Sequence, residues 1–245
     1  MAEEKNIDHL NSGNYLENGR EQMRMKGELA AIRLFDPGDR KDMQRLRIIN
    51  NDEKVKKWMV GADETSGEGI VDWANEDSLG TLEVLFAVSG TKEWAGKDEA
   101  GEVQGFVYCY PEEKERLGNL VKEGILSEDE IIKPYEISYA RNPESKEKQM
   151  ASGVRQVCWM LNQVKGDLIN SSEPKMLVTV YVDPENIESV RLLEHSGFVK
   201  RGETFYDEKS KEKGKMDDFY VLDWKKLYKI GLEKAGVEDT ESIIF

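Results

Sequence analysis

One stretch constrains the fold of this chain more than any other: YEISYARNPESKEKQMASGVRQVCWML, from Tyr135 to Leu161. It reads as strand, turn and helix. Tyr135 to Ala140 is β-prone, and Pro143 ends the strand because proline has no amide proton to give a ladder. The charged run from Glu144 to Lys148 forms the loop. Val154, Val157, Cys158, Leu161 and Val164 then recur at helical spacing, the apolar stripe of a helix that faces a core. A strand that feeds a helix through a short loop makes an anion site, because the first helical amides have no internal partner.

The chain of 245 residues accommodates one large domain or a domain with appendages. A hydrophobic content of 38% permits a packed core, and 34% charged residues make a highly charged surface. The net charge of −14 disfavours non-specific nucleic-acid binding, which relies on cationic patches. It suits cationic partners such as amines or basic tails, or serves solubility alone. Cys109 and Cys158 are too few for a disulfide framework or a four-thiolate zinc site, and Cys158 falls on the apolar stripe as a small core residue. His9 and His195 are the only histidines, so no metal site is expected. No apolar run approaches the ~20 residues of a membrane span, and the N-terminus has no signal-peptide core. The expected setting is a reducing cytoplasm, without membrane or nucleic-acid partners.

Along the chain, residues 1–27 form a polar extension that reads as a frayed tail or a loosely packed helix. Leu29 to Phe35 reads as the first strand. A helix capped by Asp39 or Asp42 follows, with Met43, Leu46, Ile49, Val55 and Met59 on its apolar face and a break at Asn50-Asn51-Asp52. The acidic, glycine-rich segment 61–69 is a substrate-side loop or a linker, and 70–79 is a short helix. Leu82 to Val88 and Val103 to Tyr110 are paired strands across a hairpin-like connection. Gly105 marks a bulge or a close backbone approach. Residues 111–134 form an insertion, read as a solvated loop, a wall of an acceptor site or a dimer contact, with a capping box at Ser127 and Glu130. Met176 to Val182 is strongly β-prone. Asp183-Pro184-Glu185 starts a helix whose buried face is Ile187, Val190 and Leu193, and Gly197 suits the position past its end. Lys209 to Lys215 is a charged hairpin tip before a closing strand, Phe219 to Trp224. Residues 229–245 are a tail with a short helix.

Two pieces of this plan resemble a known family. The Tyr135–Leu161 stretch looks like the acyl-CoA pyrophosphate loop of the GNAT superfamily of N-acetyltransferases. Its branch of ribosomal-protein N-terminal and spermidine acetyltransferases reads roughly E-I-G-Y-x-x-x-P-x-x-R-G-x-G-x-A. Glu136, Ile137, Tyr139, Pro143 and Ala151 fall in register. Lys146, Glu147 and Gln149 stand where the pattern has Arg or Gln, Gly and Gly. A second signature, N-x-x-S-x-x-x-x-x-x-x-G-F, is matched in spacing by Asn186, Ser189, Gly197 and Phe198.

The resemblance covers roughly residues 28–228 as one domain. It implies the α+β GNAT fold: a mixed, mostly antiparallel sheet of about six to seven strands flanked by helices. It further implies acetyl-CoA as acyl donor, no metal, and a primary amine as acceptor, such as a protein N-terminus or a polyamine, in a monomer or homodimer. The pyrophosphate is expected at Lys146, Lys148, Gln149, Met150, Ala151 and Ser152. Tyr139, Ala140, Arg141 and Asn186 complete the donor site, with a strand amide near Ala140 or Arg141 for the developing oxyanion. Glu136 is the implied base, or else a strand-edge carboxylate facing solvent. The family often has Tyr where this chain has Leu193, so Ser189 is the first candidate to hydrogen-bond the leaving sulfur, ahead of Tyr206 and Tyr220. Gln149 either holds a helical conformation or intrudes on the phosphate. The alternative reading is a GNAT-like binding module without catalysis.

Overall fold

A computed structural model describes residues 14–17, 20–23, 28–36, 38–58, 84–90, 103–143, 147–165 and 176–236. Its strands are β1 (Asn14–Glu17), β2 (Arg20–Met23), β3 (Ala30–Leu34), β4 (Val84–Gly90), β5 (Val103–Pro111), β6 (Tyr135–Arg141), β7 (Val178–Val182), β8 (Phe198–Thr204) and β9 (Asp217–Leu222). Its helices are α1 (Arg40–Asn51), α2 (Glu53–Trp58), α3 (Lys114–Lys122), α4 (Glu147–Lys165), α5 (Ile187–His195), α6 (Glu208–Glu212) and α7 (Trp224–Ala235). Among the described residues the strands form one sheet in the order β1-β2-β3-β4-β5-β6-β7-β9-β8. All neighbours are antiparallel except β6 and β7, which run parallel. Strands β3 to β9 are the mostly antiparallel seven-stranded sheet that the sequence predicts; the β1–β2 pair extends its edge. No described helix is long and apolar enough to cross a membrane.

Side chains alternate across the sheet and divide the core in two. On one face Ile32, Val88, Val107, Cys109 and Ile137 meet Val154, Val157, Cys158 and Leu161 of α4, together with Leu192 and Leu193 of α5. On the other, Ala87, Phe106 and Ala140 meet Met43, Leu46 and Ile49 of α1. Asp39 caps α1 by accepting from the amides of Lys41 and Asp42. Asp42 instead takes both ends of the Arg33 guanidinium at 2.6 Å, in a buried pair. Helix α4 is tied to the start of β3: Ser152 Oγ accepts from the amides of Leu29 and Ala30, and Arg155 forms a buried bidentate pair with Glu28. Gly105 lies at a register shift between β4 and β5, and a Cβ there would stand 2.6 Å from Met150 Sδ and 2.8 Å from Ala140 O. That close approach seats the first turn of α4 against the sheet.

Several expectations are corrected. Residues 14–17 and 20–23 pair as antiparallel strands in place of the expected tail or helix. The insertion is packed, with Leu117, Leu120 and Leu126 buried beside Leu177 and Phe219. Within it, the Ser127–Glu130 capping box opens a 3-10 turn. Helix α5 starts at Ile187 with Asn186 as its cap; Ile187 is exposed, and Leu192 with Leu193 supplies the buried face. Gly197 takes φ +94° just past its end. The charged tip before β9 is a short helix, α6. The expected tail boundary at residue 229 cuts through α7, which buries Leu227, Tyr228, Leu232 and Ala235. The segments 61–69, 70–79 and 92–102 lie outside the described residues.

Candidate active site

The parallel pairing of β6 with β7 is short. It joins Tyr135 to Val178 and Glu136 to Thr179, and beyond that point β7 pairs only with β9. A gap therefore opens beside β6 from Ile137 onward. The Tyr135 amide donates to Leu177 O on the β7 side, and the Asn142 amide donates to Gln104 O on the β5 side. Amides alternate along a strand, so those of Tyr139 and Arg141 turn toward the gap. The Ala140 amide turns toward Phe106, its β5 partner. Of the two expected positions for an oxyanion donor, Ala140 is thus committed to the ladder, and Tyr139 is added.

Helix α5 flanks the gap through two contacts. The Tyr139 and Ser189 hydroxyls lie 2.6 Å apart, and Ser189 N–H donates to Asn186 Oδ1 at 3.2 Å. Arg141 pairs with the exposed carboxylate of Glu188. Burial raises the Tyr139 phenol well above the ordinary tyrosine value and keeps it protonated. Leu193 is fully buried in the core. Tyr220 is buried in the core on the Tyr139 side of the sheet, and Tyr206 sits beside Arg116.

Helix α4 begins at Glu147, earlier than the sequence predicts. Its first-turn amides are those of Glu147, Lys148 and Gln149. The amides of Ala151 and Ser152 fall within the intrahelical ladder. Met150, Ala151 and Ser152 are buried, so they form the platform under the turn. Gln149 is helical, without positive φ, and 3% exposed, the helical conformation of the two considered for it. Lys146 lies outside the described residues, as does the Lys148 side chain.

Glu136 sits at the root of the gap, on the opposite face of β6 from Tyr139. It is 4% exposed, so it is no solvent-facing edge carboxylate. Its Oε1 accepts from the Tyr110 hydroxyl at 2.5 Å, and its Oε2 accepts from Arg116 Nη1 at 2.5 Å. The same Nη1 reaches Glu112 Oε1 at 3.1 Å, and Thr179 Oγ1 donates to Glu112 Oε2 at 2.5 Å. The Arg116 guanidinium lies 4.2 Å from the Tyr206 ring centre and 5.1 Å from that of Tyr181. Burial, with the Glu112 charge beside it, pushes the Glu136 carboxyl up to about 7. Sequence reading missed Glu112, Arg116 and Tyr110. Glu112 and Arg116 stand four apart, the spacing of an ion pair on one helix face, and that was their only signal.

No family model matches the sequence, and no curated protein matches it either. Solved structures do. A spermidine N-acetyltransferase from Vibrio cholerae, in complex with CoA and spermine, shares 15% identity at a TM-score of 0.53, covering 81% of this chain and 98% of its own. An acetyltransferase of the GNAT family from Bacillus anthracis gives 17% and 0.54, covering 82% and 98%. This chain has the GNAT fold. The aminoglycoside acetyltransferase AAC(6')-Ib, in complex with coenzyme A and kanamycin, gives 14% and 0.54, covering 84% and 98%. At these identities the likeness is one of GNAT architecture, with β1–β2 lying beyond the seven-stranded sheet.

Proposed function

We propose that this protein transfers an acetyl group from acetyl-CoA to a primary amine. The observation that carries the reading is the parting of β6 from β7 after Glu136, with the Tyr139 amide turned into the gap and a buried carboxylate at its root. Similar structures in complex with CoA and with amine compounds support it.

The acyl donor enters from the α4–α5 face. The opening amides of α4 and the positive end of its dipole receive the pyrophosphate, and Lys146 and Lys148 supply local positive charge in a chain of net charge −14. The thioester carbonyl oxygen accepts from the Tyr139 amide, a fixed donor at the point where negative charge develops. The acceptor enters from the face that carries Glu136. Its ammonium loses a proton to the Glu136 carboxylate, and the freed amine attacks the carbonyl carbon. The C–S bond breaks, the nitrogen gives up its second proton as the amide forms, and an equivalent proton from water neutralises the leaving thiolate, which accepts a hydrogen bond from the Ser189 hydroxyl. A thiol of pKa near ~8.5 needs only modest help in leaving. Asn186 holds Ser189 in place by capping α5.

Calorimetric titration with acetyl-CoA, followed by free-thiol release across a panel of amines and peptide N-termini, tests the reading. Saturable binding and amine-dependent release are expected. An absence of binding at high micromolar donor overturns it.

A further inference from the structure

The helix inserted between β5 and β6 brings charge to Glu136, the buried carboxylate at the root of the gap. Glu112 follows β5 directly, and its side chain is fully buried. Arg116 reaches down from the first turn of α3 with 11% of its side chain exposed. One nitrogen of Arg116, Nη1, is hydrogen-bonded to both Glu112 and Glu136. Glu112 is in turn fixed by Thr179, the residue that pairs with Glu136 at the end of the β6–β7 ladder. The other groups that face the cluster are Tyr110 from β5, the exposed Glu113 from the approach to α3, Tyr181 from β7 and Tyr206 after β8. The Tyr181 hydroxyl is buried there beside the Arg116 guanidinium.

Counting formal charges, two ionised carboxylates and one guanidinium leave the buried cluster with one uncompensated negative charge. Such a charge is costly away from water, and either a single proton or a single bound cation removes it.

We propose that Glu112 and Arg116 are positioning residues for Glu136 and that the three side chains act as a one-proton unit facing an ammonium acceptor. This rests on the reading of Glu136 as the base. The acceptor arrives as its ammonium, whose positive charge completes the neutrality of the cluster. Its proton passes to the Glu136 carboxylate, the amine nitrogen keeps the lone pair, and Arg116 then leans on Glu112 alone. When the acetylated product leaves, the proton passes from Glu136 to bulk water and Arg116 returns to sharing. The direction of the carboxyl shifts agrees: burial raises both Glu112 and Glu136, and each is held down in part by Arg116.

The test is a carbon-13 titration of the glutamate side-chain carboxyls in the full chain, with the Glu136 signal assigned by its loss in Glu136→Gln. Glu112→Gln, which keeps an oxygen for Thr179, removes the competing charge and is expected to lower the Glu136 midpoint by about one pH unit. Arg116→Gln is expected to raise it, and Arg116→Lys to bring it back toward the native value. The acidic limb of kcat/KM for an alkylamine is expected to move in step. A Glu136 midpoint that ignores Glu112→Gln, in a variant whose amide spectrum is native, overturns the proposal. A midpoint that moves while the limb stays fixed upholds the one-proton unit and removes Glu136 as the base, so the two ideas fail separately.

Discussion

The two faces of β6 are built by different rules. Toward α4 and α5, the strand offers apolar side chains, one hydroxyl pair and a backbone amide turned into the gap. Toward α3, it offers a carboxylate enclosed by a guanidinium, a second carboxylate and three tyrosines. On the proposed reading, the first face works through backbone amides. Gln149 replaces a glycine there by staying helical and burying itself. The second face works through charge in a site short of water, where each group sets the proton affinity of its neighbours. On the proposed reading, the acyl donor is held by backbone amides and the acceptor by side chains.

Substitution on the charged face should have the largest effect. Glu136→Gln is expected to lower turnover on an amine of pKa ~10.4 within the ~10²–10⁴-fold range of general-base effects. An α-amine of pKa ~7.8 is about one-third neutral at pH 7.5 and should lose less. Rates against pH for both acceptors decide the matter, and equal losses, or none, would leave Glu136 as a structural carboxylate. Asp42→Ala separates ionic structure from ionic chemistry. It strands the buried Arg33 and should cost about 3–5 kcal/mol in urea unfolding, while the acidic limb of the pH profile stays in place.

Changes on the backbone-built face should be milder. Tyr139→Phe and Ser189→Ala each remove one hydroxyl from a hydrogen-bonded pair, worth about 1 kcal/mol, so turnover should drop by about tenfold or less. Acetyl-CoA affinity measured by calorimetry should hold, since the Tyr139 amide survives both changes. Stability also depends on pH through the Glu136 carboxyl. The folded Glu136 carboxyl lies at about 7, above its unfolded value, so the stability linked to its proton is full below the unfolded pKa of ~4.3 and is lost as pH rises through about 7. Thermal melts from pH 5 to 8 should show this decline in the native chain and a flatter profile in Glu136→Gln.

Much of the backbone-built face was legible in the sequence, because periodicity and caps are local. The stripe from Val154 to Leu161, the positive-φ Gly197 and the register of Asn186 with Ser189 all lie where spacing puts them. The charged face was not legible. Arg116 and Glu136 are twenty positions apart, and only packing of Leu117 and Leu120 against Leu177 and Phe219 brings them together. The start of α4 was misplaced because Glu147 and Lys148 read as loop by charge yet favour helix by propensity. The choice between Ala140 and Arg141 as amide donor depends on strand parity, which the bonds of Tyr135 to Leu177 and of Asn142 to Gln104 fix, and the same parity adds Tyr139.

The most direct test of the whole account is a backbone amide NMR titration of the full chain with acetyl-CoA. Saturable shifts are predicted at Tyr139, at Glu147 and Lys148 and at Ser189, with Ala140 moving less than its neighbour. The absence of saturable shifts, or shifts confined to Glu112, Arg116 and Tyr110, would contradict the assignment of the α4–α5 side of β6 to the acyl donor.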